Sequence, residues 1–426
     1  MTTPASPGLA ASALHAPVLR NARCCIAGGG PAGMMLALLL ARAGIDVVVL
    51  EKHGDFLRDF RGDTVHPSTL AVMSDLGLLD AFLARSHDKA TLLRGTISGQ
   101  RVVLADFGRL RKHPPFIAMV PQWEFLDFVR DEAERYANFR LMLDAEAVHL
   151  VQRGGHVRGV EIKDVHGALA NITADLVIAA DGRHSVLRGA AGLKVRDIGA
   201  PIDVLWLRLP KRTGDPNETG GFIDTGHFMA TIDRGTYWQC AFVIGKGGIE
   251  ATQARGLPAF RAEVAQVAPF LHDRVDHIAS WDDVKLLSVT VDRLEQWWKP
   301  GLLCIGDAAH AMSPVRGVGI NLAVQDAVAT ANLLRDALAD PRVTADELTP
   351  LLATVQARRL FPARITQAVQ VAIQNRLLKP VLQSSGRGTP FQVPWVVKLL
   401  QRFPALQGIP AYAVGVGVRP ERVRPD

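Results

Sequence analysis

The chain has 426 residues, 48% of them hydrophobic, with 48 Lys and Arg against 42 Asp and Glu and a formal net charge of +6. That length suggests two or three domains, some interleaved, built around sizeable cores. The Lys and Arg are scattered rather than gathered into one run, which argues against nucleic acid as a partner.

Residues 1–21, "MTTPASPGLAASALHAPVLRN", are small, contain Pro and lack a basic start with an apolar centre. They read as a flexible tail, not as a signal peptide. From Cys24 the chain gives a short apolar strand to Ala27, then Gly28, Gly30 and Gly33 in GxGxxG spacing, with Pro31 and Ala32 inside it. A helix of good formers is expected over Met34–Arg42 and a second strand over Asp46–Leu50, ending at Glu51 and Lys52. The three glycines serve different ends. Gly28 allows the tight turn, Gly30 a close approach of backbone to a pyrophosphate, and Gly33 close packing of helix on strand. The helix start offers free N–H groups and a partial positive charge. Glu51, 18 residues after Gly33, is placed for a ribose diol. A lone GxGxxG carries little, but strand, turn, helix, strand and acid together point to a dinucleotide. An unphosphorylated adenosine ribose suits FAD or NAD better than NADP at this site.

Residues near 97–120 alternate as strands do. Leu176–Ala180 reads as a strand, Asp181 and Gly182 as a turn, and Ser185–Ala191 as a helix start. Between 200 and 290, "PIDVLWLRLP", "GGFIDTGHFMATIDRG" and "TYWQCAFVIG" again have period two, as for a sheet with one face toward a pocket. Trp206, Arg208, Phe222, His227, Phe228, Trp238 and Gln239 are the candidate pocket residues, although alternation does not say which face looks inward. "FVIGKGGIE" fails the fingerprint spacing and reads as a hairpin or loop. Leu302–Ile305 reads as a buried strand, followed by "GDAAHAMSPVRGVGINLAVQDA", in which Gly319, Ile320 and Asn321 open an apolar helical pattern.

Beyond Ala329 the pattern stays helical. "VAIQNRLLKPVLQ" and "WVVKLLQRFPALQ" are amphipathic and basic, with a break at Gly386–Pro390; such helices either fold back on the chain or make a peripheral membrane contact. Charges such as Arg42, Asp46 and Asp307 interrupt every apolar run before the ~18 residues a membrane span needs. Cys24, Cys25, Cys240 and Cys304 show no metal-ligand spacing, so no metal is expected. A reducing, cytoplasmic location fits them.

Asp181, Gly182, Ser185 and Arg188 form DGxxSxxR, and Gly306, Asp307, Ala308, Ala309, His310, Pro314, Gly317, Gly319, Asn321 and Asp326 form a third motif. With the first fingerprint, in this order across residues 22–335, the chain resembles the flavoprotein aromatic hydroxylases, the single-component monooxygenases that include para-hydroxybenzoate hydroxylase and the ubiquinone-biosynthesis hydroxylases. The resemblance implies an α/β fold. Its Rossmann-like FAD-binding domain is assembled from separated segments (22–96, 116–198 and 285–335). A mixed or antiparallel substrate-binding sheet is inserted (97–115 and 199–284), and a helical segment follows (336–426).

It also implies that Asp307 lies beside the ribityl chain, that Pro314 bounds a loop under the flavin ring, and that the helix from Gly319 aims its N-terminus at the ring. Arg61 matches the family arginine near flavin and pyrophosphate, and Gln122 falls where the family places a Gln or Arg on FAD. Val318 and Arg316 depart from the commonest pattern.

The activity implied is NAD(P)H-dependent hydroxylation of an aromatic or polyketide-like molecule. NAD(P)H visits transiently to reduce FAD, dioxygen adds at flavin C4a, and the hydroperoxide passes its terminal oxygen to an electron-rich carbon. The cofactor carries the chemistry, so no catalytic side chain is named. The partners expected are an aromatic small molecule and dioxygen, with the chain a monomer or homodimer. Baeyer–Villiger oxidation or epoxidation on the same scaffold is the alternative; an NAD-dependent dehydrogenase or a non-catalytic flavin-binding protein is the reading of another class. A WxWxIP stretch, as flavin halogenases need, is absent.

Overall fold

The computed structural model describes residues 18–57, 64–85, 88–216, 219–384 and 391–425. Arg61 and the break at Gly386–Pro390 lie outside the described residues, as does the side chain of Arg316.

The larger sheet has eight strands. Its main path runs Trp298–Lys299, Leu302–Cys304, Leu169–Ala179, Val18–Ala27, Val47–Leu50, Phe139–Met142, and the last five are mutually parallel. Glu146–Arg153 and His156–Lys163 attach antiparallel to Leu169–Ala179. Parallel strands need crossovers that cover both sheet faces. Accordingly Val47–Leu50 is buried at every position, and helix Pro31–Arg42 buries Ala32 through Ala41. The cysteines sit in these dry layers or in the second core. Burial pushes the Cys25 thiol up to about 12.

Two boundaries differ from expectation for physical reasons. The first strand begins at Val18, because residues 18–22 pair with Asn171–Ala174, so the end of the expected tail belongs to the sheet. The first helix begins at Pro31, where the fixed φ and missing N–H of proline suit the first helical position.

The second sheet has seven strands in the order Lys285–Leu287, Ile202–Pro210, Tyr237–Gly245, His227–Asp233, Gly220–Asp224, Leu92–Ile97, Gln100–Asp106. One parallel pair, Gly220–Asp224 with Leu92–Ile97, makes it mixed. Its outer face, with Leu205, Leu207, Cys240 and Phe242, packs under helix Leu257–Val267 through Phe260 and Val264. Its other face, with Val204, Trp206, Phe228, Ala230 and Ala241, meets Val315, Leu378 and Leu382. "FVIGKGG" closes strand Tyr237–Gly245 and turns into helix Ile249–Ala254 rather than forming a hairpin.

Helix Gly319–Ala339 packs on Pro31–Arg42. Helix Ala345–Ile373 follows, opened by a capping box between Thr344 and Glu347. Helices Trp395–Arg402 and Gly408–Gly415 then lie against the edge strand Gln100–Asp106.

Candidate cofactor and substrate site

Register places the site. Ala27 is level with both Leu50 and Ala179, and Ala179 with Cys304, so four parallel strands end side by side. Gly28, Glu51, Asp181 and Asp307 therefore leave the sheet at one carboxyl edge, where open α/β sheets bind their ligands.

At the first turn Gly28 has φ +109°, and a Cβ there would lie 2.3 Å from the Ala180 carbonyl oxygen. A Cβ on Gly33 would lie 2.0 Å from the Gly28 carbonyl oxygen, so only glycine lets helix and strand approach this closely. At Gly30 a Cβ would meet nothing within 4 Å, and no side chain caps the helix there. The helix start is thus an open cradle whose first-turn N–H groups have no partner within the helix. Glu51 accepts hydrogen bonds from the Gly29 N–H (3.0 Å) and the His53 N–H (3.1 Å), which fixes its carboxylate beside that cradle. Lys52 is exposed on the surface, and Gln122 is half-buried at the first turn of helix Gln122–Ala133.

Asp181 accepts the Leu187 N–H (3.3 Å) on one oxygen; its Oδ1 is buried without a partner among the described residues. Burial pushes this carboxyl up, against the opposing pull of Ser185 and nearby N–H groups. Gly182 forms the turn and Ser185 caps the short helix Val186–Ala190 by accepting the Arg188 N–H. Arg188 reaches inward instead of toward a ligand. Its guanidinium holds both oxygens of Asp292 (3.3 and 3.2 Å) and donates to the carbonyls of Ala308 (3.3 Å) and Arg183 (2.5 Å), tying the second motif to the third.

The Gly306 loop lies against the first helix: a Cβ on Gly306 would be 3.1 Å from that of Ala32. Asp307 is half-buried and takes a hydrogen bond from Arg183 Nη2 (3.1 Å). Asp326 is fully buried and accepts from the Gly306 N–H (3.0 Å), His310 Nε2 (2.5 Å) and Arg359 Nε (2.9 Å). Burial alone would raise its carboxyl, but His310 and Arg359 hold it below the usual carboxylate range. Pro314 and Gly317 bound a short 3-10 turn, and Thr64 Oγ1 donates to the Gly317 carbonyl (3.3 Å). Helix Gly319–Ala339 starts with no side-chain cap, so its N-terminal dipole is free for an anion; Ile320 is buried beneath it. Asn321 accepts from Thr69 Oγ1 (2.7 Å) and the His66 N–H (3.3 Å), which anchors this helix start to the segment before it.

On the second sheet, Trp206, Arg208, Phe228 and Gln239 share the face that carries Val315. Arg208 lies over the Tyr237 ring at 5.3 Å, and Gln239 accepts from Arg234. Phe222, His227 and Trp238 lie on the opposite face and are withdrawn from the pocket-lining set. Phe222 and Trp238 pack on Phe270, Trp238 Nε1 donates to Asp215 (2.9 Å), and His227 packs on Phe242.

Sequence reasoning missed the residues that hold the site from behind. Arg183 stood inside the second motif, between two acidic motifs, and is the one with a visible signal. Arg359, Gln367 and Gln370 come from helix Ala345–Ile373. Gln367 Nε2 donates to the carbonyls of Asp292 and Ala311 (2.7 and 3.1 Å), and Gln370 Nε2 to those of Ser313 and Val315 (3.0 Å each). Among the described residues no cluster is arranged to hold a metal ion, and no helix is long and apolar enough to cross a membrane.

These residues fit FAD. An open helix-start cradle, a backbone-fixed acid beside it, an unpartnered buried carboxylate oxygen at Asp181 and a half-exposed Asp307 line one edge. Comparisons agree with the geometry. The model of the FAD binding domain family matches residues 21–368. The chain is 31% identical over 406 residues to 6-methylpretetramide 4-monooxygenase of Streptomyces rimosus, covering 94% of each chain. It is 27% identical over 390 residues to kynurenine 3-monooxygenase of Xanthomonas euvesicatoria, covering 82% of this chain and 78% of the relative. The solved structure of OxyS anhydrotetracycline hydroxylase from Streptomyces rimosus shares the fold with a TM-score of 0.71 at 23% identity, over 94% of this chain and 77% of that one.

Proposed function

Since the chain belongs to the FAD binding domain family and is an FAD-dependent flavoprotein monooxygenase of the aromatic-hydroxylase kind, we propose that it uses NAD(P)H and dioxygen to hydroxylate a fused-ring aromatic or polyketide-like small molecule. The observation that carries this reading is the meeting of two surfaces. The carboxyl edge of the parallel sheet brings together Gly30, Glu51 and Asp307, and the apolar face of the second sheet, with Trp206 and Phe228, packs toward Val315 in the loop that follows Asp307. The name of the Streptomyces rimosus 4-monooxygenase supports a polycyclic substrate class.

When bound, FAD would supply the redox chemistry, taking electrons from NAD(P)H and activating dioxygen so that one oxygen atom reaches the substrate and the other leaves as water. The chain's residues bind, orient and exclude water. The first-turn N–H groups beyond Gly30 would take the pyrophosphate, Glu51 the adenosine ribose and Asp307 a ribityl hydroxyl. The uncapped start of helix Gly319–Ala339 favours negative charge on the ring system, by about 0.3–1 kcal/mol if exposed and up to about 2 when partly buried. Trp206 and Phe228 form an apolar wall for flat rings, and Arg208 on the same face suits a phenolate or carboxylate on the substrate.

The test is substrate-stimulated NAD(P)H oxidation under labelled dioxygen, across phenols, quinones and fused-ring compounds. The expected product carries label from dioxygen. Label arriving only from water removes the proposal.

A further inference from the structure

We propose that the exposed face of Trp395–Tyr412 is a docking surface for an anionic lipid bilayer, on which this protein seats without crossing it. Helix Trp395–Arg402 buries none of its residues. Its inner side is fixed: the Gln401 amide accepts the Val103 N–H (3.2 Å) and donates to the Val103 carbonyl (2.7 Å), so it extends the edge strand Gln100–Asp106 as another strand would. Its outer side carries Trp395 and Leu399 one turn apart, and Phe403 follows directly after the helix end. Trp395 is 74% exposed and Phe403 53%, and on the next helix Ile409 is 68% exposed with Tyr412 nearby in sequence. Exposed clusters of large apolar side chains mark interaction sites.

Charge selects the occupant. Residues 348–420 hold nine Lys or Arg and no Asp or Glu. Two of the nine, Arg358 and Arg359, are ion-paired with Glu421 and Asp326, so the charge that counts is the charge on the face itself. Lys398 and Arg402 are exposed on the same short helix as Trp395. Trp, Leu and Phe on one side with basic residues at the flank is the pattern of helices that lie in the headgroup layer, where the rings take the boundary and the cations the lipid phosphates. A second copy of this chain is a poorer occupant, because a twofold interface sets identical patches against each other and would bring like charges together.

The FAD-loaded full chain is tested by flotation with vesicles of phosphatidylcholine alone and of phosphatidylcholine mixed equally with phosphatidylglycerol. Binding is expected to the mixed vesicles only, and to fall as salt is raised. The pairs Trp395→Ser with Phe403→Ser, and Lys398→Glu with Arg402→Glu, are each expected to cut the bound fraction by about tenfold or more, with the flavin spectrum unchanged. Absence of binding to the mixed vesicles, or binding that both variant pairs retain, overturns the inference. So does a dimer in solution that the Trp395 and Phe403 pair dissolves while vesicles are ignored, since the face then belongs to a second copy.

Discussion

Replacing Asp326 by Asn tests how the Gly306 loop is held. The Asp326 side chain is 1% exposed and Arg359 2%, and the two carboxylate oxygens face only donors: Gly306 N–H and His310 Nε2 on one, Arg359 Nε on the other. An amide at this position must turn its NH2 toward one of those donors and removes the charge opposite Arg359. The guanidinium is then left with the Arg419 carbonyl at 3.4 Å and with Glu421 at 3.3 Å, which already serves Arg358 at 2.8 Å. Breaking a buried pair in this way costs about 3–5 kcal/mol, and the loop that carries Asp307 loses its anchor. Guanidinium unfolding should register the loss, and FAD titration a weaker complex. Replacing both partners, Asp326→Leu with Arg359→Met, should destabilise less than Asp326→Asn alone, because no charge is left unpaired. The pH dependence has a definite sign. The folded carboxyl lies below its unfolded value of about 3.9, so its stabilisation is complete above that value and is lost as pH falls through the folded pKa. The difference between parent and Asn variant should therefore shrink below about pH 4. A destabilisation under about 1 kcal/mol at neutral pH, within the range of an ordinary hydrogen bond, would refute the reasoning.

Asp307→Ala should weaken FAD binding roughly ten- to hundredfold, the worth of one charge-assisted hydrogen bond; unchanged retention on gel filtration removes Asp307 from the site. Gly33→Ala should yield flavin-free protein, since its Cβ would lie 2.0 Å from the Gly28 carbonyl oxygen, and the visible spectrum reports this directly. Trp206→Ala and Trp238→Ala separate the two faces of the second sheet. The first should raise KM with little loss of stability, while the second should cost about 3–5 kcal/mol in unfolding as a core aromatic. Gln370→Met leaves the Ser313 and Val315 carbonyls without a donor, at about 1–3 kcal/mol each, and should shift the flavin absorption bands through the displaced loop.

What could be read from the sequence was local or carried by spacing. Gly28 and Gly33 act within one turn, and Glu51 follows at the distance a strand, helix and strand require, so the dinucleotide edge was legible. The extension of the first strand to Val18 was not, because polar residues such as Arg20 and Asn21 are held by a partner strand some 150 positions away. The second sheet shows the limit of alternation. Period two divides Trp206 from Trp238 only after register is known: Trp206 stands opposite Ala241, and Trp238 opposite Leu209, on the other face. An aromatic chosen from sequence as a pocket residue has no mark that says which layer it enters.

The C-terminal half carries the larger lesson. Beyond Ala329 the sequence reads only as helical, yet the inner side of helix Ala345–Ile373 presents Arg359, Gln367 and Gln370, all buried. Apolar residues would pack there, but they cannot donate to the carbonyls of Asp292, Ala311, Ser313 and Val315, of which Ala311 also takes the Asp292 N–H (3.3 Å). Past Ala311 the chain leaves the backbone bonds it makes with strand Asp292–Leu294, so its carbonyls at Ser313 and Val315 take their hydrogen bonds from a side chain behind it. Glutamine amides spaced along one face of a rigid helix do this without adding charge. The irregularity that makes the loop useful thus requires polar residues some fifty positions downstream, and helical periodicity marks those as surface until the loop they serve is known.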